Sequence, residues 1–249
     1  MFDDLSIYEF DFILREVLNK SYSDYLISGL RDDEKNKIEP YVKLAKSKPV
    51  EYIFKKAYFR NIVLYVDERV LIPRNETEQL VEIAIKFIIE KNYKNIFEIG
   101  IGSGAISISL ALEIESIKIF ANDISFNALE VAKKNINNYK LNDRIFLFCG
   151  DSLNAIKSKF DMIIWNIPYV LETEYCYLSE KVKCEPEIAF LYKEEIFNRF
   201  LENFKYFLSW NGCCILEISP NLSEKLRQYD FKIIEDTYGI ERFSFFFNS

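Results

Sequence analysis

The chain has 249 residues, of which 49% are hydrophobic and 29% are charged, and its formal net charge is −7. This length allows one ordinary domain with a sizeable core plus a small appendage, as is typical of a soluble globular protein. The acidic balance argues against a large phosphate-binding surface, because affinity for nucleic acids comes largely from Lys and Arg, so we expect no direct nucleic-acid substrate. The chain contains no histidine, so we predict no metal site and a chemistry that works without imidazole.

The cysteines and the N-terminal segment favour a cytoplasmic location. No two cysteines form a CxxC pair, which suits a reducing compartment; they are Cys149, Cys176, Cys184, Cys213 and Cys214. The start, MFDDLSIYEF, is acidic and lacks the basic start and apolar centre of a signal peptide. We find no run of about 18 apolar residues that would cross a membrane, so no membrane partner is expected.

The first third of the chain predicts helices followed by a hairpin. Apolar residues recur at helical spacing from Ile7 to Leu18, and shorter helical patterns continue to about Ser47, broken near Gly29 and Pro40. Residues 52–59 and 62–66 are rich in aromatic and β-branched side chains, which predicts a β-hairpin. The predicted division is a helical N-terminal domain at 1–50, a hairpin linker at 51–72 and a third domain at 73–249.

From about Thr77, strands and helices alternate. Helices are predicted at 78–90, 104–113, 125–137 and 193–208, and strands at 95–99, 118–122, 145–148, 162–165 and 213–218. This alternation predicts an α/β fold with a mostly parallel sheet and helices on both faces. Two more strands are predicted at 231–235 and 242–247, the last one antiparallel and at the edge of the sheet.

A glycine-rich stretch, Gly100-Ile101-Gly102-Ser103-Gly104, follows the strand at 95–99 and precedes a helical pattern. Glycines at such a junction let the backbone turn tightly against a nucleotide, which predicts a cofactor site. Asp123 ends the next strand, about 20 residues on, and is placed to bind ribose hydroxyls; the alternative is a turn in which it caps a helix. Asp151, before Ser152, is predicted either to meet an adenine amino group or to cap a helix.

A second stretch, Asn166-Ile167-Pro168-Tyr169, ends the strand at 162–165. An Asn carbonyl and a neighbouring main-chain carbonyl can together accept both hydrogens of a planar NH2 group, which positions the nitrogen for a transfer reaction. Pro168 restricts Ile167 and so sets the direction of the Ile167 carbonyl, while Tyr169 can stack on a flat amide or base. The alternative is an ordinary Asn-x-Pro turn with Tyr169 in the core. The glycine-rich stretch upstream favours the catalytic interpretation.

Several segments, in order along the chain, resemble one known family. They are KPVEYI at 48–53, VLIPRNETE at 70–78, EIGIGSGAISISLA from Glu98, NDIS from Asn122, NIPY at 166–169, CEP at 184–186 with Ala189-Phe190, and LEI at 216–218. The set is similar to the S-adenosylmethionine-dependent protein glutamine N5-methyltransferases that modify peptide-chain release factors.

This resemblance implies a seven-stranded, Rossmann-like methyltransferase domain joined to a small helical N-terminal domain through a β-hairpin. It implies S-adenosylmethionine as the cofactor, with binding residues Glu98, Gly100, Ile101, Gly102, Ser103, Gly104, Asp123, Asp151, Ser152 and Asn166. It also implies that the substrate amide is held by Asn166, Ile167, Pro168 and Tyr169. The implied substrate is the glutamine of the Gly-Gly-Gln loop of peptide-chain release factors, which are the expected partners.

The chain departs from the family pattern at the second position of its NPPY motif. Ile167 stands where the family has proline, so this peptide keeps an N–H while its accepting carbonyl is retained. The segment after Phe190 also lacks the family's glycine-rich turn. Two other functions stay open on the sequence alone: a methyltransferase for amino groups of nucleic-acid bases, with a flipped base on Tyr169, and a cofactor-binding homologue with little activity.

Overall fold

The computed structural model describes residues 5–248. The first four residues of the segment MFDDLSIYEF, in which no signal peptide was predicted, and Ser249 lie outside the described range. Among the described residues, no helix combines the length and the apolar character needed to cross a bilayer.

Four helices open the described chain: α1 (Ile7–Leu18), α2 (Tyr22–Ser28), α3 (Asp32–Ala45) and α4 (Val50–Phe54). Ser6 and Ser21 begin α1 and α2 with capping boxes, in which the serine side chain and an acid three residues later satisfy free N–H groups. Pro40 lies inside α3, so the predicted break there is wrong. Ile38 and Val42 flank it and are buried against α1, and this packing outweighs the hydrogen bond that proline removes.

The predicted hairpin is present but shorter than expected. Its strands are β1 (Ala57–Phe59) and β2 (Ile62–Leu64), which pair antiparallel, whereas residues 52–54 belong to α4. Tyr52 is buried there, and its hydroxyl donates to the Val70 carbonyl at 2.6 Å, so tertiary contacts override its β propensity. The inward side chains of the hairpin join the same buried cluster as the helices and strands that follow.

Seven strands form the main sheet: β3 (Asn95–Ile99), β4 (Lys118–Asp123), β5 (Ile145–Cys149), β6 (Phe160–Asn166), β7 (Leu208–Glu217), β8 (Lys232–Glu235) and β9 (Glu241–Phe247). Their order across the sheet is β5-β4-β3-β6-β7-β9-β8, with β3 to β7 parallel. The helices are α5 (Asn75–Lys91), α6 (Ala105–Glu113), α7 (Phe126–Asn138), α8 (Glu194–Asn203) and α9 (Ser223–Arg227). Two buried clusters, one with α5 to α7 and one with α8 and α9, cover the two faces, which confirms the predicted fold class.

Two predicted elements at the end of the chain are corrected. The helix predicted at 193–208 ends at Asn203, because a 3-10 turn at Phe204–Phe207 follows and Leu208 already begins β7. The last strand, β9, is antiparallel as predicted but is not at the edge, because it lies between β7 and β8. The apolar sequence of β9 suits an interior strand, whereas β8 is short and begins and ends with charged residues, as edge strands commonly do.

Candidate functional site

The carboxyl ends of the central parallel strands open into one cavity. Ligands in sheets of this type bind at this end of the strands, at the point where the strand order reverses, here between β3 and β6. The wall of the cavity brings together most of the residues singled out in the sequence: Glu98, Gly100, Ile101, Gly102, Ser103, Asp123, Asp151, Ser152, Asn166, Ile167 and Pro168. Gly104 and Tyr169 lie next to this wall in sequence but outside it.

The glycine-rich stretch turns the chain from β3 into α6. Gly102 and Gly104 have φ angles of 54° and 87°, in the left-handed region where glycine is favoured. Gly104 caps α6, and a Cβ added there would meet Ile108 Cδ1 at 3.1 Å. A Cβ on Gly102 would meet no protein atom within 4 Å, so this position faces the open cavity.

Asp123, at the end of β4, holds the glycine-rich stretch in place. Its carboxylate accepts hydrogen bonds from the N–H groups of Gly102 at 3.0 Å and Ser125 at 2.9 Å. Burial raises the pKa of Asp123, while these two hydrogen bonds oppose the rise. Ser125, and not Asp123, is the N-cap of α7. The Asp123 carboxylate therefore lies at the cavity wall and is held there by the glycine-rich stretch. A nucleoside bound in the cavity would contact both.

The wall beyond β5 contains buried polar atoms with no partner. Asp151 stands at the N-cap position of the 3-10 turn Ser152–Ala155, as the capping alternative has it, but its side chain makes no capping hydrogen bond and pairs with Arg199 on α8. Asn122 donates to the Ser152 carbonyl at 2.7 Å, but among the described residues Asn122 Oδ1 and Ser152 Oγ have no hydrogen-bond partner. Since buried polar atoms are nearly always paired, this wall fits a ligand that carries its own donors and acceptors, as a nucleoside does.

Glu98, near the end of β3, is a buried acid in the cavity wall. It is 2% exposed and accepts a hydrogen bond from the Ser107 hydroxyl. Burial raises the pKa of Glu98 to about 8, and the Ser107 hydrogen bond opposes the rise. Burial therefore favours the protonated form of the carboxyl, which can donate a hydrogen bond.

Asn166 ends β6 directly beside β3, as the sequence predicts. Its amide nitrogen donates to Thr77 Oγ1 at 3.1 Å, which leaves its carbonyl oxygen directed away from Thr77 at the cavity wall. The Ile167 N–H donates to the main-chain carbonyl of Glu217 at 3.2 Å, and the Ile167 side chain is buried. The N–H that a proline would lack is thus used to anchor this peptide.

Tyr169 lies outside the cavity wall and packs against the cluster that contains Trp165, Ile167 and Phe197. Burial raises the pKa of its hydroxyl. The structure therefore brings Asn166, Ile167 and Pro168 to the cavity and places Tyr169 behind them.

Two contacts at the site join distant segments and were not expected from the sequence. The Arg74 guanidinium pairs with the buried Glu185 carboxylate at 2.6 Å, and the Ile72 N–H donates to the same carboxylate at 3.3 Å. This joins the segment at 70–78 to the CEP segment. The Thr77 contact with Asn166 is the other. The segments at 70–78 and 184–186 were both quoted for the family resemblance, but the sequence contains no signal that pairs one with the other.

Comparisons with known proteins show which family and which fold this chain resembles. Residues 77–179 match the family described as Methyltransferase small domain. The release factor glutamine methyltransferase of Dictyoglomus turgidum is 38% identical over 254 residues, covering 94% of this chain and 88% of the relative. That of Streptococcus pneumoniae is 34% identical, covering 93% and 88%. Among solved structures, the hMettl16 catalytic domain in complex with MAT2A 3'UTR hairpin 6 aligns with a TM-score of 0.60 at 13% identity, covering 84% of this chain and 92% of that one, and supports the fold alone.

Proposed function

This chain belongs to the family of release factor glutamine methyltransferases, and from that premise we propose that it methylates the side-chain nitrogen of the glutamine in the Gly-Gly-Gln loop of peptide-chain release factors. The observation that carries the proposal is the pair of carbonyls at the end of β6, where the amide nitrogen of Asn166 is held by Thr77 and the Ile167 peptide by Glu217. We also propose that the enzyme acts in the cytoplasm, because its proposed substrate is a translation factor.

The cofactor is S-adenosylmethionine, which when bound supplies an electrophilic methyl group on its sulfonium. We propose that Asp123 and the glycine-rich stretch hold the ribose end and that Asp151 and Ser152 hold the base. The unpaired atoms Asn122 Oδ1 and Ser152 Oγ support this assignment.

The chemical task of the chain is to orient a weak nucleophile. An amide nitrogen reacts poorly because its lone pair is delocalised into the carbonyl. In the proposed mechanism Asn166 Oδ1 and the Ile167 carbonyl oxygen each accept one hydrogen of the substrate NH2 group, which aims the nitrogen and favours positive charge on it. The nitrogen gains the methyl group and loses one proton to water, so no histidine is required.

Replacing Asn166 by Ala tests the role of the side-chain carbonyl. We expect kcat to fall by about 100-fold or more, because one of two preorganised acceptors is lost, while the Kd for S-adenosylmethionine changes by no more than about threefold. Methyl transfer with labelled cofactor and calorimetric cofactor binding measure the two quantities. An Asn166→Ala protein that binds cofactor weakly but turns over normally at saturation contradicts the assignment.

The substrate is tested with labelled S-adenosylmethionine and three acceptors: a release factor, the same factor with its loop glutamine replaced by alanine, and mixed RNA and DNA. We expect label only on the unaltered release factor. Label on the altered factor would refute the Gly-Gly-Gln assignment. Label on nucleic acid would favour a base methyltransferase, and cofactor binding without transfer to any acceptor would favour a homologue that only binds.

A further inference from the structure

Glu217 lies at the carboxyl end of β7, beneath the two proposed acceptors. It is fully buried, and it pairs with Asn166 on β6 and with Phe243 on β9 in the sheet. Its main-chain carbonyl accepts the Ile167 N–H at 3.2 Å. This bond fixes the plane of the peptide group between Asn166 and Ile167. It therefore also limits the direction in which the Ile167 carbonyl can point.

The Glu217 side chain is less easily explained by packing. Its donors nearby are the Thr77 hydroxyl and the Asn166 amide, both of which lower its pKa, yet neither completes a hydrogen bond of normal geometry to either carboxyl oxygen. The charged group Glu76 on α5 raises the Glu217 pKa and Arg242 on β9 lowers it, while the Glu217 charge in turn raises the pKa of Tyr169. Burial is the largest cause and raises the pKa to about 7. A buried carboxyl with unfilled acceptor sites is costly, so a role beyond filling space is indicated.

The direction of the hydrogen bonds follows from the donors available. The Thr77 hydroxyl has one hydrogen. Although the Thr77 hydroxyl completes no hydrogen bond to Glu217, the charge of an ionised Glu217 attracts its hydrogen, which leaves Thr77 Oγ1 to accept from the Asn166 amide nitrogen, as observed at 3.1 Å. The Asn166 carbonyl then faces the substrate. A protonated Glu217 loses that charge and has a hydrogen of its own to direct at Thr77, which would free the Thr77 hydrogen for the Asn166 carbonyl and reverse the amide.

We propose that Glu217 is a positioning residue for both acceptors of the substrate amide. Its carboxylate orients Asn166 through the Thr77 hydroxyl, and the main-chain carbonyl of Glu217 holds Ile167. The inference rests on the proposed function and adds to it the residue that selects the working orientation of the Asn166 amide.

The Asn166 side chain can be observed directly, without any substrate. In protein labelled with 15N-asparagine, the NH2 resonance of Asn166 is assigned by its absence in Asn166→Ala. We expect this resonance to shift with pH near neutrality in the native chain and to lose that titration in Glu217→Gln, which keeps the shape and the main-chain bond. Glu76→Gln is the matched control: it removes a nearby carboxylate, so the titration should persist and move to lower pH.

Kinetics supply the second readout. Thr77→Val removes the hydroxyl at nearly constant shape, and we expect kcat on release factor to fall by about 10- to 100-fold with the Kd for S-adenosylmethionine nearly unchanged. Thr77→Ser keeps the hydroxyl and should stay within about threefold of the native kcat. The native kcat should fall as pH drops and Glu217 becomes protonated, whereas Glu217→Gln should lose this limb.

The outcomes separate the inference from the proposed function. An Asn166 resonance that titrates equally in the native chain and in Glu217→Gln overturns the positioning role, as does a native kcat in Thr77→Val. A native protein that methylates no release factor overturns the proposed function, while the resonance still decides whether Glu217 orients Asn166. Thermal unfolding and cofactor binding of each variant verify that it is folded.

Discussion

Ile167 shows how a single residue is accommodated where the resembled family has proline. A proline ring would fix the backbone angle covalently, whereas here one hydrogen bond to the Glu217 carbonyl and a buried side chain hold the same peptide. The substitution therefore moves the source of rigidity from the residue itself to the neighbouring strand. The backbone conformation at Ile167 therefore depends on a hydrogen bond to β7. A proline at this position would not need that bond.

Glu98 allows a prediction about stability and pH. Its folded-state pKa is about 8, above the ordinary value near 4.5, so ionising it costs folding energy. The contribution of Glu98 to the free energy of unfolding is complete below its unfolded-state pKa of 4.5. It is lost as the pH rises through its folded-state pKa of about 8. We expect Glu98→Gln to gain stability relative to the native chain by on the order of 3 kcal/mol between pH 5 and pH 8, since one pKa unit is worth about 1.4 kcal/mol.

Denaturant unfolding of both proteins across this pH range measures the difference. A constant offset between the two proteins would mean that the carboxyl has the same pKa in the folded and unfolded states.

Sequence reasoning at this scale identified residues better than it identified contacts. The glycine-rich stretch, Asp123 and Asn166 were found because each has a local signature at a strand end. Thr77 and Asn166 are 89 positions apart, and Arg74 and Glu185 are 111 apart, so their contacts exist only once the sheet is assembled. The roles assigned to the individual site residues remain predictions that the experiments above test.

Secondary-structure elements were predicted where periodicity was strong. The strand at Asn95–Ile99 was located to the residue, and the neighbouring helices and strands to within a few positions. The errors at Pro40 and Tyr52 arise where buried contacts outweigh local preference, and the misplaced sheet edge arises because strand order is not encoded in the order of the chain.

Two glycines at the junction of β3 and α6 allow a prediction at this scale. Gly104→Ala should cost about 2 kcal/mol of stability, because its φ of 87° is strained for alanine and the new Cβ crowds Ile108. Gly102→Ala should cost only about 1 kcal/mol, but its Cβ enters the cavity, so we expect the Kd for S-adenosylmethionine to rise at least about tenfold. Denaturant unfolding measures the two stabilities, and calorimetry measures the Kd for S-adenosylmethionine. A larger rise in Kd for Gly104→Ala than for Gly102→Ala would contradict the proposed cofactor position.

The whole molecule contains a separate helical core and a larger core on the sheet. Buried residues of α1, α3 and α4 form the first, whereas the hairpin packs into the second. Polar contacts join them: the Tyr58 hydroxyl donates to Glu16 at 2.8 Å, and Lys56 pairs with Glu16 at 2.5 Å. We propose the division at 1–50, 51–72 and 73–249, with the middle segment folding together with the methyltransferase domain.

Two fragments test this division. A fragment of residues 51–249 should unfold cooperatively and bind S-adenosylmethionine, because the sheet and the hairpin keep their shared core. A fragment of residues 73–249 should aggregate, because removing the hairpin exposes the buried surface that packs against Phe59, Leu64 and Val66. Circular dichroism, solubility and cofactor binding compare them. A well-folded, cofactor-binding 73–249 fragment would show that the hairpin is a dispensable linker.

The position of β9 between β7 and β8 affects the order in which the molecule can be completed during synthesis. β7 and β8 leave the ribosome first, but they do not pair with each other, so the outer edge of β7 stays open until β9 is made. Arg242, whose charge lowers the pKa of Glu217, arrives with that strand. The strand that encloses Glu217 is therefore made last, after the strands whose ends form the cavity.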